Sequence, residues 1–489
     1  MKIISDKDAS FKWNFGLFVA LVSVLGVFEF TCHEFWKDEW QAWFIAISPS
    51  SLAEMWSLLP VEGHPSGWFL VLRFVHWIAA FATPGMLPEH LIAGVHWILF
   101  AGVAWLFFMH FRFHYLLKLA LAAGYFFFFE YGVVNRGYVL VILLLFGMVP
   151  FLKAPRLHAG KLAVLLLLLT QTEVYGLFAA WAIGLYMVRE SLKGEGTWKD
   201  KSTWFPVLSL TAGTALFLYS VMPSGGMTGN ATGTPSGKGL ADAFQALFAN
   251  TLTIGFIPPG SGGVTAPAIL MSIALCGLIL FVLRKQRSWM IAFACFTGMF
   301  LLFTAFVYYG GPRQWGMFYV FVLVVLNFAE AGNTDKKSYG AQVALLCLLI
   351  PGQLLHCFRV VTKEKKYLFS NAIAAGRYIR KNIPSTAIII GINKPYCTPV
   401  IGYSGHPFYS LPDKHLFTYA LFREKLYLPS TDECFRFADE RNEKAFYLVS
   451  YKPLPDITGL TLVQEFDKPN LKEENYFLYE GVVSVAGTR

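Results

Sequence analysis

The sequence predicts a polytopic α-helical membrane protein with about eleven transmembrane helices and a C-terminal soluble α/β domain. Of its 489 residues, 55% are hydrophobic and only 15% are charged, and the mean hydropathy is +0.50. A soluble chain of this length needs far more charge to cover its surface. Charges become frequent only from about residue 362 onward. We therefore expect a membrane domain over residues 1–361 and a soluble domain over residues 362–489.

Membrane-spanning segments are predicted from apolar runs of about 20 residues. Seven runs are clear: 14–31, 89–110, 202–222, 267–284, 288–309, 313–331 and 338–358. Four others are ambiguous: 66–82, 116–131, 137–152 and 161–190. In one threading, 66–82 crosses the membrane and 161–190 is a single span. In the other, 66–82 lies on the outer interface and 161–190 forms two short helices.

Positive charge favours the second threading. It places the basic segments 112–118 and 153–161 on the same side as the clusters at 284–287 and 336–337. Short loops rich in Lys and Arg belong on the cytoplasmic side. The first exterior loop, 32–88, then carries interfacial helices, and the soluble domain lies outside.

The hairpin 161–190 has a polar tip at 170–173. Its arms are expected to be too short to cross the bilayer, so the tip would end within the membrane. Irregular polar backbone at that depth is tolerated where it lines protein or a water-filled cavity. The sequence therefore indicates a cavity that opens outward.

The soluble domain is predicted from alternating patterns. Helices are expected at 370–383 and 431–441, and strands at 387–390, 445–450 and 475–480. Cys397 and Cys434 either pair in an oxidising compartment or remain two separate buried thiols. The seven cysteines include no CxxC pair, which argues against a metal–thiolate site. The net charge of +9 is distributed in short clusters between apolar runs, which sets topology and does not indicate nucleic-acid binding.

Residues 33–44, HEFWKDEWQAWF, place three carboxylates among aromatics just after the first apolar run. At helical spacing one apolar stripe forms, which predicts an amphipathic helix over 35–47 on the outer membrane surface. The stripe contains Trp36, Trp40, Trp43, Phe44 and Ile47. Asp38 falls opposite the stripe, either as a functional carboxylate or as a solvated residue of the helix start. Glu34 is expected to be ordinary surface.

Three more exterior segments carry candidate residues. His64, in the segment EGHPSGW, could ligate a divalent ion with Asp38, bind a phosphate, or simply precede a helix start. Arg136, in the segment EYGVVNRGY, and Arg313, in YYGGPRQWG, could hold a lipid-linked phosphate by charge-assisted hydrogen bonds. The alternative is that both arginines anchor the chain at the headgroup level.

In their order along the chain, these motifs resemble the GT-C superfamily of integral-membrane glycosyltransferases, especially its protein O-mannosyltransferase and aminoarabinose-transferase branch. The resemblance rests on Lys37-Asp38-Glu39-Trp40 after the first span and on Gly63-His64-Pro65, which is similar to that branch's HPP or EKP element. The arginine-bearing segment 130–138, the short hairpin helices and the exterior C-terminal domain also fit. The matching region at 135–138 lacks the second Asp of aminoarabinose-transferase-like members.

The resemblance implies a GT-C fold and transfer of a sugar from a polyprenyl-phosphate donor to an acceptor at the outer face. It assigns the general base to Asp38. The candidate substrate-binding residues are Glu39, His64, Glu130, Arg136, Glu173 and Arg313. Arg136 and Arg313 would hold the phosphate, with His64 in support. No cofactor is certain, and a divalent metal, Mg²⁺ or Mn²⁺, remains open.

The partners expected from this resemblance are a lipid-linked sugar donor, a lipid, glycan or protein acceptor, and membrane lipids, with no nucleic acid. The expected location is the bacterial inner membrane. The alternatives are a transporter or flippase for lipid-linked sugars and a non-catalytic subunit of an envelope polysaccharide assembly system. Transporters tend to show internal repeats with broken helices in matching halves, and the sequence shows none.

Overall fold

A computed structural model describes residues 7–193, 200–222, 239–256, 263–332, 336–367, 369–421, 429–455, 459–467 and 474–483. Contacts between residues divide the chain into two compact units. Unit 1 comprises Met1–Phe28, Leu59–Trp68 and His96–Val360, and unit 2 comprises Glu29–Leu58, Phe69–Val95 and Val361–Arg489. The C-terminal boundary at 360/361 lies beside the predicted domain boundary. Unit 2 also takes in most of the predicted exterior loop.

The helices are α1 (Lys7–Thr31), α2 (Lys37–Ile47), α3 (Leu52–Glu62), α4 (Gly67–Ala82), α5 (Pro88–His110), α6 (Tyr115–Ala122), α7 (Tyr138–Met148), α8 (Ala159–Thr170), α9 (Val174–Leu192), α10 (Lys201–Val221), α11 (Leu240–Gln245), α12 (Ala266–Leu283), α13 (Arg287–Phe306), α14 (Pro312–Gly332), α15 (Lys336–Lys366), α16 (Ala372–Asn382), α17 (Lys394–Ser404) and α18 (Thr431–Asp439). Two short π-helices, Phe126–Glu130 and Ala246–Asn250, add a wider turn.

Among the described residues, six helices are long and apolar enough to cross a membrane. They are Ser10–Thr31 within α1, α5, α10, α12, α13 and Lys337–Lys366 within α15. Shorter apolar helices include α4, α7 and α8. The structure thus supports a multi-pass membrane protein, while the number of eleven spans stays a prediction.

The predicted division of 161–190 into two helices is confirmed, because the chain leaves helical geometry between α8 and α9. α8 has 12 residues and α9 has 19. Neither is among the six described helices that are long and apolar enough to cross a membrane. The expectation that both arms are too short to cross therefore stays a prediction.

The tip between α8 and α9 is held against α10 within unit 1. A Cβ atom on Gly213 would lie 2.3 Å from the Thr170 hydroxyl oxygen, so only glycine allows this approach. The Gln171 side chain donates a hydrogen bond to the Gly213 carbonyl at 2.8 Å. Thr170 and Thr172 are buried. The polar tip is therefore fixed by protein contacts.

A six-stranded mixed sheet lies in the C-terminal part of unit 2. Its strands are β1 (Ile388–Gly391), β2 (Phe408–Ser410), β3 (His415–Phe417), β4 (Ala445–Ser450), β5 (Leu460–Phe466) and β6 (Tyr476–Val482). Their order is β3-β2-β1-β4-β6-β5. β1 pairs in parallel with β2 and β4, and the other pairs are antiparallel.

The three predicted strands and two predicted helices of this domain are confirmed as β1, β4, β6, α16 and α18. Strands β2, β3 and β5 and helix α17 were not predicted. Ile390, Phe437 and Phe446 belong to the apolar core of the sheet. Cys397 and Cys434 are free thiols buried in this region, which matches the second of the two alternatives.

Helix α2 forms where a helix was predicted, but its aromatic stripe does not face lipid as expected. Trp40 and Trp43 are almost completely buried within unit 2. The Trp40 ring packs edge-on to Tyr403 with ring centroids 5.0 Å apart. A Cβ atom on Gly402 would lie 2.2 Å from the same indole. The stripe therefore docks α2 against α17.

Candidate functional site

In unit 2, Asp38 lies at the N-terminus of α2, where the first turn is capped. Glu39 accepts the Trp36 backbone N–H at 3.0 Å and closes the first turn. Carboxylates in this turn are stabilised by the positive end of the helix dipole. Asp38 lies in the same turn and is half-buried. The helix start thus fixes the backbone that carries the Asp38 carboxylate.

His33 connects Glu39 to α15. Its two ring nitrogens lie 3.1 Å from a Glu39 oxygen and 2.8 Å from a Glu364 oxygen. All three side chains are buried. Burial opposes the charged form of His33, but the two carboxylates outweigh it and raise its pKa well above the ordinary value. The Glu39 carboxylate is therefore enclosed, and it is held between the backbone of the helix cap and the His33 ring.

Two further carboxyl groups lie close to this turn. Burial raises the pKa of Glu474 to about 7, and the nearby charge of Asp38 acts in the same direction. Glu474 also accepts the Lys37 backbone N–H at 3.2 Å. Burial likewise raises the pKa of Glu34 to about 7. The expectation that Glu34 is ordinary surface is wrong, because the side chain is enclosed within unit 2.

The segment that contains His64 meets the tip between α8 and α9 in unit 1. His64 Nδ1 lies 2.9 Å from a Glu173 carboxylate oxygen. The Gly67 N–H donates to the Gln171 carbonyl at 2.9 Å, which joins the two segments through the backbone as well. Two residues predicted separately, 109 positions apart, are thus in direct contact.

The segment that contains Arg136 packs beside the same carboxylate. A Cβ atom on Gly137 would lie 3.1 Å from Glu173 Oε1 and 3.0 Å from Trp68 Cβ. The pKa of His64 is raised above its ordinary value. Burial and the positive charge of Arg136 lower this pKa, but the carboxylate of Glu173 outweighs them. His64, Arg136 and Glu173 therefore form one electrostatically coupled group, here called the His64 cluster.

Glu130 and Arg313 form a second pair in unit 1. Arg313 Nε donates to Glu130 Oε1 at 2.7 Å, and the Tyr125 hydroxyl donates to the other carboxylate oxygen at 2.5 Å. The Tyr131 hydroxyl donates to the Arg313 carbonyl at 2.7 Å. The sequence singled out both charged residues but did not predict that they pair.

Buried tyrosines connect the two charged groups of unit 1. The Tyr131 and Tyr138 ring centroids are 6.1 Å apart, and those of Tyr138 and Tyr175 are 6.3 Å apart. The Tyr138 hydroxyl interacts electrostatically with the charged side chains of Glu173, Arg136 and Arg313. The predicted unit 1 residues thus share one region, lined by tyrosine rings.

Sequence reasoning missed His33, Glu364 and Glu474 as polar neighbours of the α2 start. Glu364 lies in the charge-rich run 363–366, where nothing in the sequence distinguishes it. His33 and Glu39 are six residues apart on either side of a helix cap, and only the cap geometry brings them together. Among the described residues, no group of three or more His, Cys, Asp or Glu side chains has the arrangement of a metal site.

Comparison with solved structures identifies the fold. The crystal structure of ArnT from Cupriavidus metallidurans bound to undecaprenyl phosphate matches with a TM-score of 0.53 and 13% sequence identity, and the match covers 97% of this chain and 99% of that one. The chain has an ArnT-like fold. The resemblance predicted from the sequence is thus confirmed at the level of the fold. No family model matches the sequence, and no curated protein matches it.

Proposed function

We propose that this protein is a membrane glycosyltransferase that transfers a sugar from a polyprenyl-phosphate donor to an acceptor hydroxyl at the outer face of the membrane. The observation that carries the proposal is the coupling of His64 and Arg136 at Glu173, in a chain whose ArnT-like fold extends over nearly its whole length. Because one fold hosts many functions, the reaction is argued from the polar residues of the site, and the ArnT-like fold supports it only by analogy.

The donor phosphate is assigned to the cationic groups of unit 1. Arg136 and His64 supply positive charge, and Arg313 supplies a guanidinium whose charge is partly balanced by Glu130. Glu173 orients His64 and raises the pKa of its imidazole against the effect of burial. Preorganised positive charge stabilises a leaving phosphate without reorganisation during the reaction.

Asp38 is assigned the general base. The acceptor oxygen forms a bond to the anomeric carbon while its proton passes to the Asp38 carboxylate. The bond between the anomeric carbon and the phosphate oxygen breaks, and polyprenyl phosphate leaves with the electron pair. Glu39 has a positioning role, since its carboxylate fixes the first turn of α2 while His33 holds it in place.

The test is transfer by purified protein from a panel of polyprenyl-phosphate sugars in proteoliposomes. Asp38→Asn should lower kcat at least about 100-fold, within the usual contribution of a general base, and leave donor binding unchanged. The matched control is Glu54→Gln, because Glu54 is an exposed carboxylate at the start of α3.

Full activity of Asp38→Asn would contradict the base assignment. Movement of the lipid-linked sugar between leaflets without transfer would instead support the transporter alternative. A substitution of Arg136 by Gln should weaken donor binding, and unchanged binding would contradict its assignment to the phosphate.

A further inference from the structure

A basic cavity of about 550 Å³ lies in unit 1, away from the His64 cluster. Four cationic side chains line it, Arg189, Lys193, Lys285 and Arg287, against the single carboxylate of Glu190. The walls come from the C-terminal end of α9 and from the turn that leads into α13. Such an excess of positive charge is a binding environment for an anion.

The shape of the cavity is fixed by packing. The Trp289 ring stacks between Tyr186 at 4.2 Å and Phe328 at 4.4 Å. Arg189 Nε donates to the Ser288 hydroxyl at 3.1 Å, which ties α9 to α13. The aromatic stack and this hydrogen bond fix the ends of α9 and α13 that carry the lining residues.

The position of the cavity follows from the helices it shares with the candidate site. Glu173 precedes the first residue of α9, and Arg189 lies 16 residues later on the same helix, which corresponds to about 24 Å. Arg313 lies in the first turn of α14, and Phe328 lies near its other end. The candidate site lies at the N-terminal ends of α9 and α14, and the cavity lies at their C-terminal ends. The positive charges of the sequence predict that this second face is cytoplasmic.

A second, mostly apolar cavity of about 420 Å³ adjoins the first. It is lined by Leu185, Val188 and Leu192, and it shares Arg189 and Lys193 with the basic cavity. Leu185, Val188 and Leu192 recur at helical spacing and so form one strip along α9. The two cavities together present positive charge next to an apolar groove.

We propose that these adjoining cavities bind an anionic phospholipid of the cytoplasmic leaflet. The phosphate headgroup occupies the basic cavity, and an acyl chain lies along the apolar strip of α9. Basic pockets between transmembrane helices on the cytoplasmic side suit such headgroups. A free phosphate would use the same cations but would gain nothing from Leu185, Val188 and Leu192, so the groove favours a lipid.

The test measures lipid binding to the full-length protein in detergent by native mass spectrometry. Phosphatidylglycerol should bind at least tenfold more tightly than phosphatidylethanolamine. The double variant Lys285→Gln/Arg287→Gln should remove that preference. The control Arg112→Gln/Lys153→Gln removes two exposed cations outside both cavities and should leave it unchanged.

A third variant, Leu185→Gln, separates the two sources of phosphate. It should weaken phosphatidylglycerol binding severalfold, and inorganic phosphate at equal concentration should not displace the lipid. Equal binding of the two phospholipids, or unchanged binding by the double variant with a native unfolding midpoint, would overturn the proposal. Displacement by inorganic phosphate, or no effect of Leu185→Gln, would overturn its lipid part.

Discussion

Arg313 donates a hydrogen bond of 2.7 Å to Glu130, and both side chains are largely enclosed, with 18% and 6% of their surfaces exposed. Removal of one partner from a buried ion pair leaves an uncompensated charge and costs about 3 kcal/mol or more. We therefore expect Glu130→Ala to lower the free energy of unfolding by about 3 kcal/mol. Chemical denaturation in mixed micelles measures the change.

The matched variant is Glu130→Gln. Its amide oxygen can still accept the hydrogen bond from Arg313, while its amide nitrogen can donate to the Tyr125 hydroxyl oxygen. Its loss of stability should therefore be smaller than that of Glu130→Ala. Equal stability of the wild type and Glu130→Ala would show that the pair contributes nothing to the fold.

The fold was largely predictable because its signals are local. Apolar length predicts the long helices such as α5 and α13, and alternation predicts β1, β4 and β6. The short strands β2 and β3 have three residues each, too few for a periodic pattern. The aromatic stripe of α2 was predicted, but the surface that it contacts was not. A tryptophan stripe has the same spacing in the sequence whether it faces lipid or, as here, α17.

The candidate residues were predictable by type but not by partner. His64 and Glu173 stood out as polar residues among apolar neighbours, yet 109 positions separate them. Glu34 shows why burial of single charges is hard to predict, because its neighbours in space come from distant segments around Ser370 and Arg377. Only the folded chain identifies those neighbours.

The close contact between Gly402 and Trp40 predicts that a larger residue at position 402 lowers both stability and activity. Gly402→Ala would place a Cβ atom 2.2 Å from the rigid, fully buried indole. Overpacking of this kind costs about 1–3 kcal/mol, and here it also displaces α2, which carries Asp38. We expect a lower unfolding midpoint together with a lower kcat.

A double-mutant cycle with Trp40→Phe checks this explanation. The smaller ring leaves room for the new methyl group, so the double variant should be more stable than the sum of the single effects predicts, by about 1 kcal/mol or more. Additive effects would show that the two residues do not press on each other.

The raised pKa values of Glu34 and Glu474 predict how stability depends on pH. Both carboxyls stay protonated in the folded chain up to about pH 7, whereas their ordinary value is 4.5. Between these values the unfolded chain binds fewer protons, so stability falls as pH rises. The loss is on the order of 3 kcal/mol per group. The raised pKa of His33 acts in the same direction, because its contribution is present below 6.5 and is lost at higher pH.

Thermal unfolding at pH 5 and pH 8 measures this dependence. Glu34→Gln cannot ionise, so its midpoint should change less between the two pH values than that of the wild type. Glu54→Gln alters a fully exposed carboxylate and should retain the wild-type slope. A wild-type midpoint that rises from pH 5 to pH 8 would contradict the prediction.

The orientation predicted from positive charge can be tested with single cysteines at His114 and Arg156. Both side chains are exposed and belong to basic segments assigned to the cytoplasm. A membrane-impermeant thiol reagent should leave them unlabelled in intact cells and label them after the cells are opened. The native cysteines, replaced by Ser or Ala, provide the background. Labelling in intact cells would reverse the orientation.

The contact between His64 and Glu173 predicts the pH limit of donor binding. Glu173 raises the pKa of His64 against the effect of burial, so the imidazole keeps its positive charge to a higher pH than an ordinary histidine. Binding of the donor phosphate should therefore be strongest below the folded pKa of His64 and should weaken as pH rises through it. In Glu173→Gln the hydrogen bond can persist but the negative charge is lost, so the weakening should begin at lower pH.

The apparent KM for the donor, measured from pH 5.5 to 9 for the wild type, Glu173→Gln and His64→Gln, separates these effects. His64→Gln should remove this step from the profile, and an unchanged step in either variant would show that another group titrates.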